Sequence, residues 1–398
     1  MHAPEKYVKK KLIPIAIGSL LGTVSIGAHA QASYSIFGNF AAQVESISAT
    51  DSVTATGAPS PLTDRPARTR LSNVSSDLGI RGSVKIGNGL TGVASAVTGL
   101  NADGSTAQAG LWGTAKDVFI GLSFDEAGTL KLGRLTGAAR WISGTPDFSP
   151  AGAGPQDNQA ALSGAAGLVS PQFNARLDNA IGFESVRWNG FSVRGYYSAN
   201  EGKSNSAVAT GQRISDGAYS LGAQYVNGPL DLRAAYELRN DKQTLNAGAG
   251  SKTSDKVFRV GARYTLPTST IVAITFDRQE YSDDTATGTA RRSLSKSGWV
   301  VGAKHNFGKH AVYGGFGSAG NISGSLANGT ALNGANTGMR QIVLAYNYAI
   351  SKELVFDTFV SVLRNGNRAR YDYDAGGLGG IGNGAKLTAI GAGLRYSF

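Results

Sequence analysis

The sequence predicts an all-β chain, a sixteen-stranded antiparallel transmembrane β-barrel, from three observations. Tight-turn signals recur at a near-regular interval. The segments between them alternate apolar and polar residues with a period of two. The chain also ends on such a segment, "TAIGAGLRYSF" (Thr388–Phe398), which stops at an aromatic. Phe398, Tyr396, Leu394, Ala392 and Ile390 fall on one face of this strand, and Ser397, Arg395, Gly393 and Gly391 on the other. Alone, the stretch fits a soluble strand on a core or a barrel strand facing lipid.

The first residues set the compartment. A basic opening (Lys6, Lys9, Lys10, Lys11) precedes an apolar run from about Leu12 to Gly27, then an A-x-A pattern at Ala28-His29-Ala30. Residues 1–30 therefore read as a cleaved secretory signal peptide. The apolar run contains Pro14 and is short for a spanning helix. Cleavage is expected after Ala30, with Ala32 the alternative. The whole chain carries +11; losing four lysines and one glutamate with residues 1–30 leaves +8. These cations are scattered singly along strands, so tracking of nucleic-acid phosphates is not expected. With no cysteine, the exported chain is held by hydrogen bonds and not by a disulfide scaffold. The mature part has no apolar run of transmembrane-helix length. The 55 glycines and the 30 tyrosines and phenylalanines of the whole chain suit β-hairpins better than disorder.

The hairpin turns follow in order: Asn88-Gly89, Glu126-Ala127-Gly128, Asn189-Gly190, Asn227-Gly228-Pro229, Pro267-Thr268, Gly308-Lys309 and Ser351-Lys352. Successive turns lie about 40 residues apart, except for an interval of about 60 between the second and third. Each interval holds a strand, a longer polar loop and another strand. In "LDLRAAYELRN", Leu230, Leu232, Ala234, Tyr236 and Leu238 alternate with Asp231, Arg233, Ala235, Glu237 and Arg239. "FRVGARYTL" alternates Phe258, Val260, Ala262, Tyr264 and Leu266 with Arg259, Gly261, Arg263 and Thr265. Unpaired charges are too costly to bury, so the polar face is expected to be wet. Seven tight turns and two termini give eight two-strand units, hence sixteen strands, a size that encloses water. A soluble β-helix would show a shorter period of similar rungs, and none is visible. In the barrel, Tyr396 and Phe398 belong to an interfacial aromatic girdle, with Tyr34, Phe40, Tyr346 and Tyr348 at the same lipid-side parity.

Several segments resemble the Gram-negative general (trimeric) porins, β-proteobacterial type. They are "SYSIFGNF", "SSDLGIRGSVKIGNGL" (Ser75–Leu90), "KDVFIGLSFDEAGTLKLGR" (Lys116–Arg134), "NARLDNAIGFESVRWNG" and "IGAGLRYSF". The resemblance spans nearly all of residues 33–398. It implies a homotrimer in the Gram-negative outer membrane that conducts ions and small hydrophilic solutes by passive diffusion. Its surroundings would be outer-membrane lipid and lipopolysaccharide, with barrel-insertion machinery reading the terminal aromatic during assembly. It also implies a third loop folded into the pore, here residues 137–177 within the over-long interval. Arg134 and Arg176 match wall arginines, and Arg81 a nearby wall cation; Arg134 and Arg176 are read at lumen parity. Asp147, in "TPDF" (Thr145–Phe148), matches the loop carboxylate, with Asp157 a second; both also suit ordinary turns beside Pro and Gly. Asp77, where many relatives carry arginine, would make the constriction less positive, so anion selectivity does not carry over.

Catalysis, cofactors and metals are not expected. Once the signal is removed, only His305 and His310 remain, flanking one turn, and no serine or carboxylate is spaced to pair with them. A substrate-specific channel is the alternative, since Phe37 and Tyr196 are lumen-side aromatics. An adhesin or structural barrel is a third reading.

Overall fold

The computed structural model describes residues 32–54, 56–104, 112–149, 153–163, 173–199, 215–241, 252–284, 291–325, 332–374 and 376–398. The expected signal peptide lies outside them. Eighteen strand segments form one antiparallel sheet. It closes where the first strand, Ala32–Thr50, pairs with the last, Lys386–Ser397, setting Asn39 opposite Ser397 and Thr50 opposite Lys386. Two pairs of segments are pieces of single strands. Arg65–Asn73 and Asp77–Gly87 both run along the other side of the first strand. Ser323–Ser325 continues His310–Ala319 along Arg291–Phe307. The barrel therefore has sixteen strands.

Each of the seven expected tight turns joins two strands that pair with each other. The Asn88-Gly89 and Asn189-Gly190 pairs work because both central residues take positive φ (Asn88 49°, Gly89 73°), which matches the right-handed twist of the flanking strands. No described helix is long and apolar enough to cross a membrane.

The outer face is the apolar one. Ile36, Leu232, Phe258, Ile274, Ile342 and Ile390 all project outward and are exposed. At the terminus, Tyr396 and Phe398 are exposed on this face. Phe398 lies 6.0 Å from the Phe40 ring and 6.1 Å from Tyr396. The backbones of Phe398 and Gly38 exchange two hydrogen bonds (3.0 and 3.1 Å), so the last residue is inside the closing ladder.

The inner face departs from the wet surface read from the sequence. Between Gly137 and Leu177 the chain turns into the barrel as a short helix, Ala138–Ser143, and a 3-10 turn, Gln159–Ala161. Phe148, Leu162 and Phe173 of this loop pack with Val257, Tyr281, Val300, Tyr313 and Val343 of the wall. The charged wall residues Arg259, Asp277, Arg239 and Glu237 beneath the loop are buried but paired. Arg259 and Asp277 are fully buried at 2.8 Å, and Arg239 meets Glu237 at 2.6 Å. Burial is tolerable because partners replace the lost water. Glycines on the wall let the loop approach. A Cβ at Gly298 would lie 2.4 Å from the Ala161 carbonyl oxygen, and one at Gly302 2.7 Å from that of Pro146. Some of the abundant glycine therefore clears room for the loop.

The last long loop also folds inward. Tyr371, Tyr373, Leu378 and Ile381 join the same dry cluster. Arg65 and Arg70, on the first hairpin, donate to the carbonyls of Gly380 and Gly376 in that loop.

Candidate functional site

The wall holds the inserted loop through its carbonyls. Arg259 donates to the carbonyls of Ala139 (2.8 Å) and Leu162 (3.0 Å) and to Asn174 Oδ1 (3.1 Å). Lys296 donates to Ala161 O (2.9 Å), Gln341 to Asp157 O (2.9 Å) and Arg263 to Thr145 O (2.6 Å). The Tyr313 hydroxyl donates to Gln156 O (2.7 Å). Trp141 of the loop helix lies between two wall guanidinia, Arg194 at 3.5 Å and Arg233 at 4.5 Å from its ring centre. A loop tied at so many backbone positions is a fixed part of the bore.

Beside it lie two recesses. The smaller, of about 460 Å³, is lined by Arg140, Asp147, Asp157 and Gln159 of the inserted loop, Asn73 and Ser75 of the wall, and Asp374 of the last loop. Gln159 Nε2 stands 3.4 Å from both Asp147 Oδ2 and Asp157 Oδ2, so one neutral amide bridges two carboxylates. Burial raises the Asp147 pKa to about 6, against hydrogen bonds from Ser149 and Gln159. Burial raises Asp157 well above the carboxylate range, helped by the charges of Asp147 and Asp374. Burial, with the nearby Arg176 cation, lowers the Arg140 pKa.

The larger recess, of about 890 Å³, is lined by Asp77, Arg81, Lys116, Asp117, Lys131 and Arg176, with Phe37 and Phe119. Its charges are largely paired. Asp77 meets Lys116 at 2.6 Å and accepts from Asn39 at 2.6 Å, while Arg176 meets Asp117 at 2.6 Å. Arg81 lies over the Phe37 ring at 4.0 Å. Tyr196 is buried and donates to Glu184 (2.7 Å), so its ring is not on an open track.

The residues singled out from the sequence therefore divide. Asp147 and Asp157 share one recess, and Asp77, Arg81 and Arg176 share the other. Arg134 is in neither. It stands opposite Val118 and shares the outward parity of Leu132, both exposed, and it pairs with the exposed Asp178. The lumen placement of Arg134 is thus corrected: Leu135, one residue on, is the side chain that turns inward to pack with Ala138 and Ile142.

Lys116, Asp117, Arg140 and Asp374 carried no sequence signal strong enough to be chosen. Lys116 and Asp117 are adjacent, and a regular strand would send only one inward. Ala96 pairs with Val118 but Thr98 with Ala115, so an extra residue bulges there and both reach the recess. Asp374 sits in a glycine-rich loop that reads like any surface loop.

The molecule is thus a closed, hydrogen-bonded barrel with an apolar outside, a polar inside and an inserted loop. The family model for Gram-negative porins matches residues 17–368. The chain is a Gram-negative porin. An outer membrane porin protein of Bordetella pertussis is 26% identical to this porin over 344 residues, covering 80% of this chain and 81% of that one. The fold is similar to the anion-selective porin from Comamonas acidovorans, with a TM-score of 0.68, 19% identity, and 92% and 100% of the two chains covered. It is also similar to an outer membrane protein of Vibrio cholerae in its trimer form, with a TM-score of 0.61, 14% identity, and 92% and 99% covered. The porin is an outer-membrane channel.

Proposed function

We propose that solutes cross this porin passively through an eyelet between the two recesses. Carboxylates of two inserted loops would form one side of it, and the ion-paired wall of Asp77–Lys116 and Asp117–Arg176 the other. The observation carrying this reading is the loop's multiple anchorage to the inner wall, with Asp147, Asp157 and Asp374 brought to one recess. Opposed charges at a wet narrowing set a transverse field, so ions and small hydrophilic solutes pass while bulky or apolar ones are retarded. With Asp77 and Asp117 paired to cations, the wall is less positive than the single cations Arg81 and Arg176 suggest. Planar-bilayer recording tests the reading. Deleting residues 149–165 is expected to raise single-channel conductance, and unchanged conductance would place the loop outside the ion path.

The reading includes a homotrimer, supported by the trimer form of the Vibrio cholerae structural neighbour. A slow-migrating band in SDS that collapses to a monomer on boiling is expected, and a monomer in both lanes counts against it. It also includes contact with outer-membrane lipid and lipopolysaccharide, insertion by barrel-assembly machinery, and removal of residues 1–30. Protein purified from outer membranes would then begin at Gln31, or failing that Ser33; an intact mass retaining Lys6–Lys11 rules this out. A channel, not an enzyme, is the reading that the family supports.

A further inference from the structure

The smaller recess holds more than an acidic cluster. Asp147, Asp157 and Asp374 face it, yet among the described residues none of them is ion-paired. The Arg140 guanidinium lines the same recess. It feels Asp374, Asp117 and Asp157 electrostatically but forms no ion pair or hydrogen bond with a described residue. Asn174 also lines it and is only 8% exposed. Its Oδ1 accepts from Arg259, whereas its buried Nδ2 has no hydrogen-bond partner. A buried donor without an acceptor is costly, and an arriving acceptor would offset that cost.

Two donors thus want an anionic acceptor, and carboxylates on the facing loops want a cation, within one volume of about 460 Å³. A simple cation would leave Arg140 and Asn174 unsatisfied, and a simple anion would face three carboxylates. We propose that this recess is a transient binding site for a zwitterion of the α-amino-acid class. The solute carboxylate lies on Arg140 and Asn174, and its ammonium on the carboxylates of Asp147 and Asp374 and the carboxyl oxygens of Asp157. Charge-assisted bonds at both ends supply selectivity over molecules carrying one charge. The eyelet would then be a weakly specific filter as well as a narrowing. Rapid transit requires that binding stay weak. The proposal rests on the eyelet reading above, which it deepens by naming a solute class.

The test uses the full protein in a planar bilayer at neutral pH. Three probes are added to potassium chloride: glutamine, glutaramate (which lacks the ammonium) and the amine left by decarboxylating glutamine. Glutamine is expected to interrupt the current with saturating concentration dependence, and each single-charge analogue to need about tenfold more. Arg140→Gln, and independently Asp374→Asn, should each weaken the glutamine block about tenfold, with Arg140→Lys intermediate. Equal or non-saturating block by all three solutes overturns the zwitterion site and leaves the eyelet standing. Unchanged block in both charge-removing variants does the same. Wild-type protein that carries no potassium chloride current overturns the eyelet itself.

Discussion

Replacing Arg259 with alanine should loosen the inserted loop without opening the barrel. Arg259 is fully buried and serves both ends of the loop, through the carbonyls of Ala139 and Leu162 and through Asn174. It is also the ion-pair partner of Asp277 at 2.8 Å. Removing one partner of a buried pair costs about 3–5 kcal/mol, because the other charge is left without compensation. The strand ladder is untouched, since Arg259 pairs with Ala235 and Asp277 through the backbone. The cost therefore falls on the closed position of the loop. Opening lets water reach Asp277 and the carbonyls of Ala139 and Leu162.

Lys296, Gln279, Gln341 and Tyr313 still hold the loop, at about 1 kcal/mol or somewhat more each. The loop should thus stay mostly in place but open more than about a hundredfold more often. Single-channel recording should show a noisier current with excursions to higher conductance, and protease should cut within residues 149–165 faster than in the parent. The double variant Arg259→Ala/Asp277→Asn should regain thermal stability, because no buried charge is left bare. It should stay noisy, because Ala139 has lost its donor and Leu162 one of its two. A quiet Arg259→Ala channel with wild-type proteolysis would refute the view that this arginine fastens the loop.

Asp147 titrates near pH 6, so acidification from about pH 7 to 5 should remove a negative charge from the eyelet and shift the reversal potential toward anions. The sign follows from burial. Ionisation of Asp147 costs folded-state stability as pH rises through 6, and protonation relieves that cost. A charge about 6 Å from a passing ion contributes roughly 0.7 kcal/mol at water-like dielectric, a few-fold change in permeability ratio that salt diminishes. Asp147→Asn should show the anionward shift already at neutral pH and a smaller acid-induced change, and an identical acid response in the variant would count against this assignment. Arg134→Ala, facing outward, should leave the reversal potential unmoved; a cationward shift would return that residue to the lumen. Phe398→Ala removes the ring contacts to Phe40 and Tyr396 and should lower outer-membrane yield, whereas wild-type yield would mean that the terminal aromatic contributes only interfacial burial.

Much of this porin is local in origin and so legible in the sequence. Asn88-Gly89 and the other turns fix where strands reverse, and alternation in Leu230–Asn240 and Lys252–Thr265 fixes which face meets lipid, because each depends on neighbours along the chain. The number of strands follows from the turns, and the long interval after Gly128 marks the loop that enters the bore. The eyelet itself could not be read this way. A bulge changes which side chains turn inward and brings Lys116 and Asp117 together, while Arg134 lies outside by plain alternation with Leu130 and Leu132. The wall of Arg259, Glu237 and Lys296 looked wet because charged residues usually are; an inserted loop made it dry and supplied its partners. Asp374 joins Asp147 and Asp157 across more than two hundred residues. Only closure of the barrel brings those loops into one cross-section, because their proximity is set by ring geometry and not by any neighbouring residue.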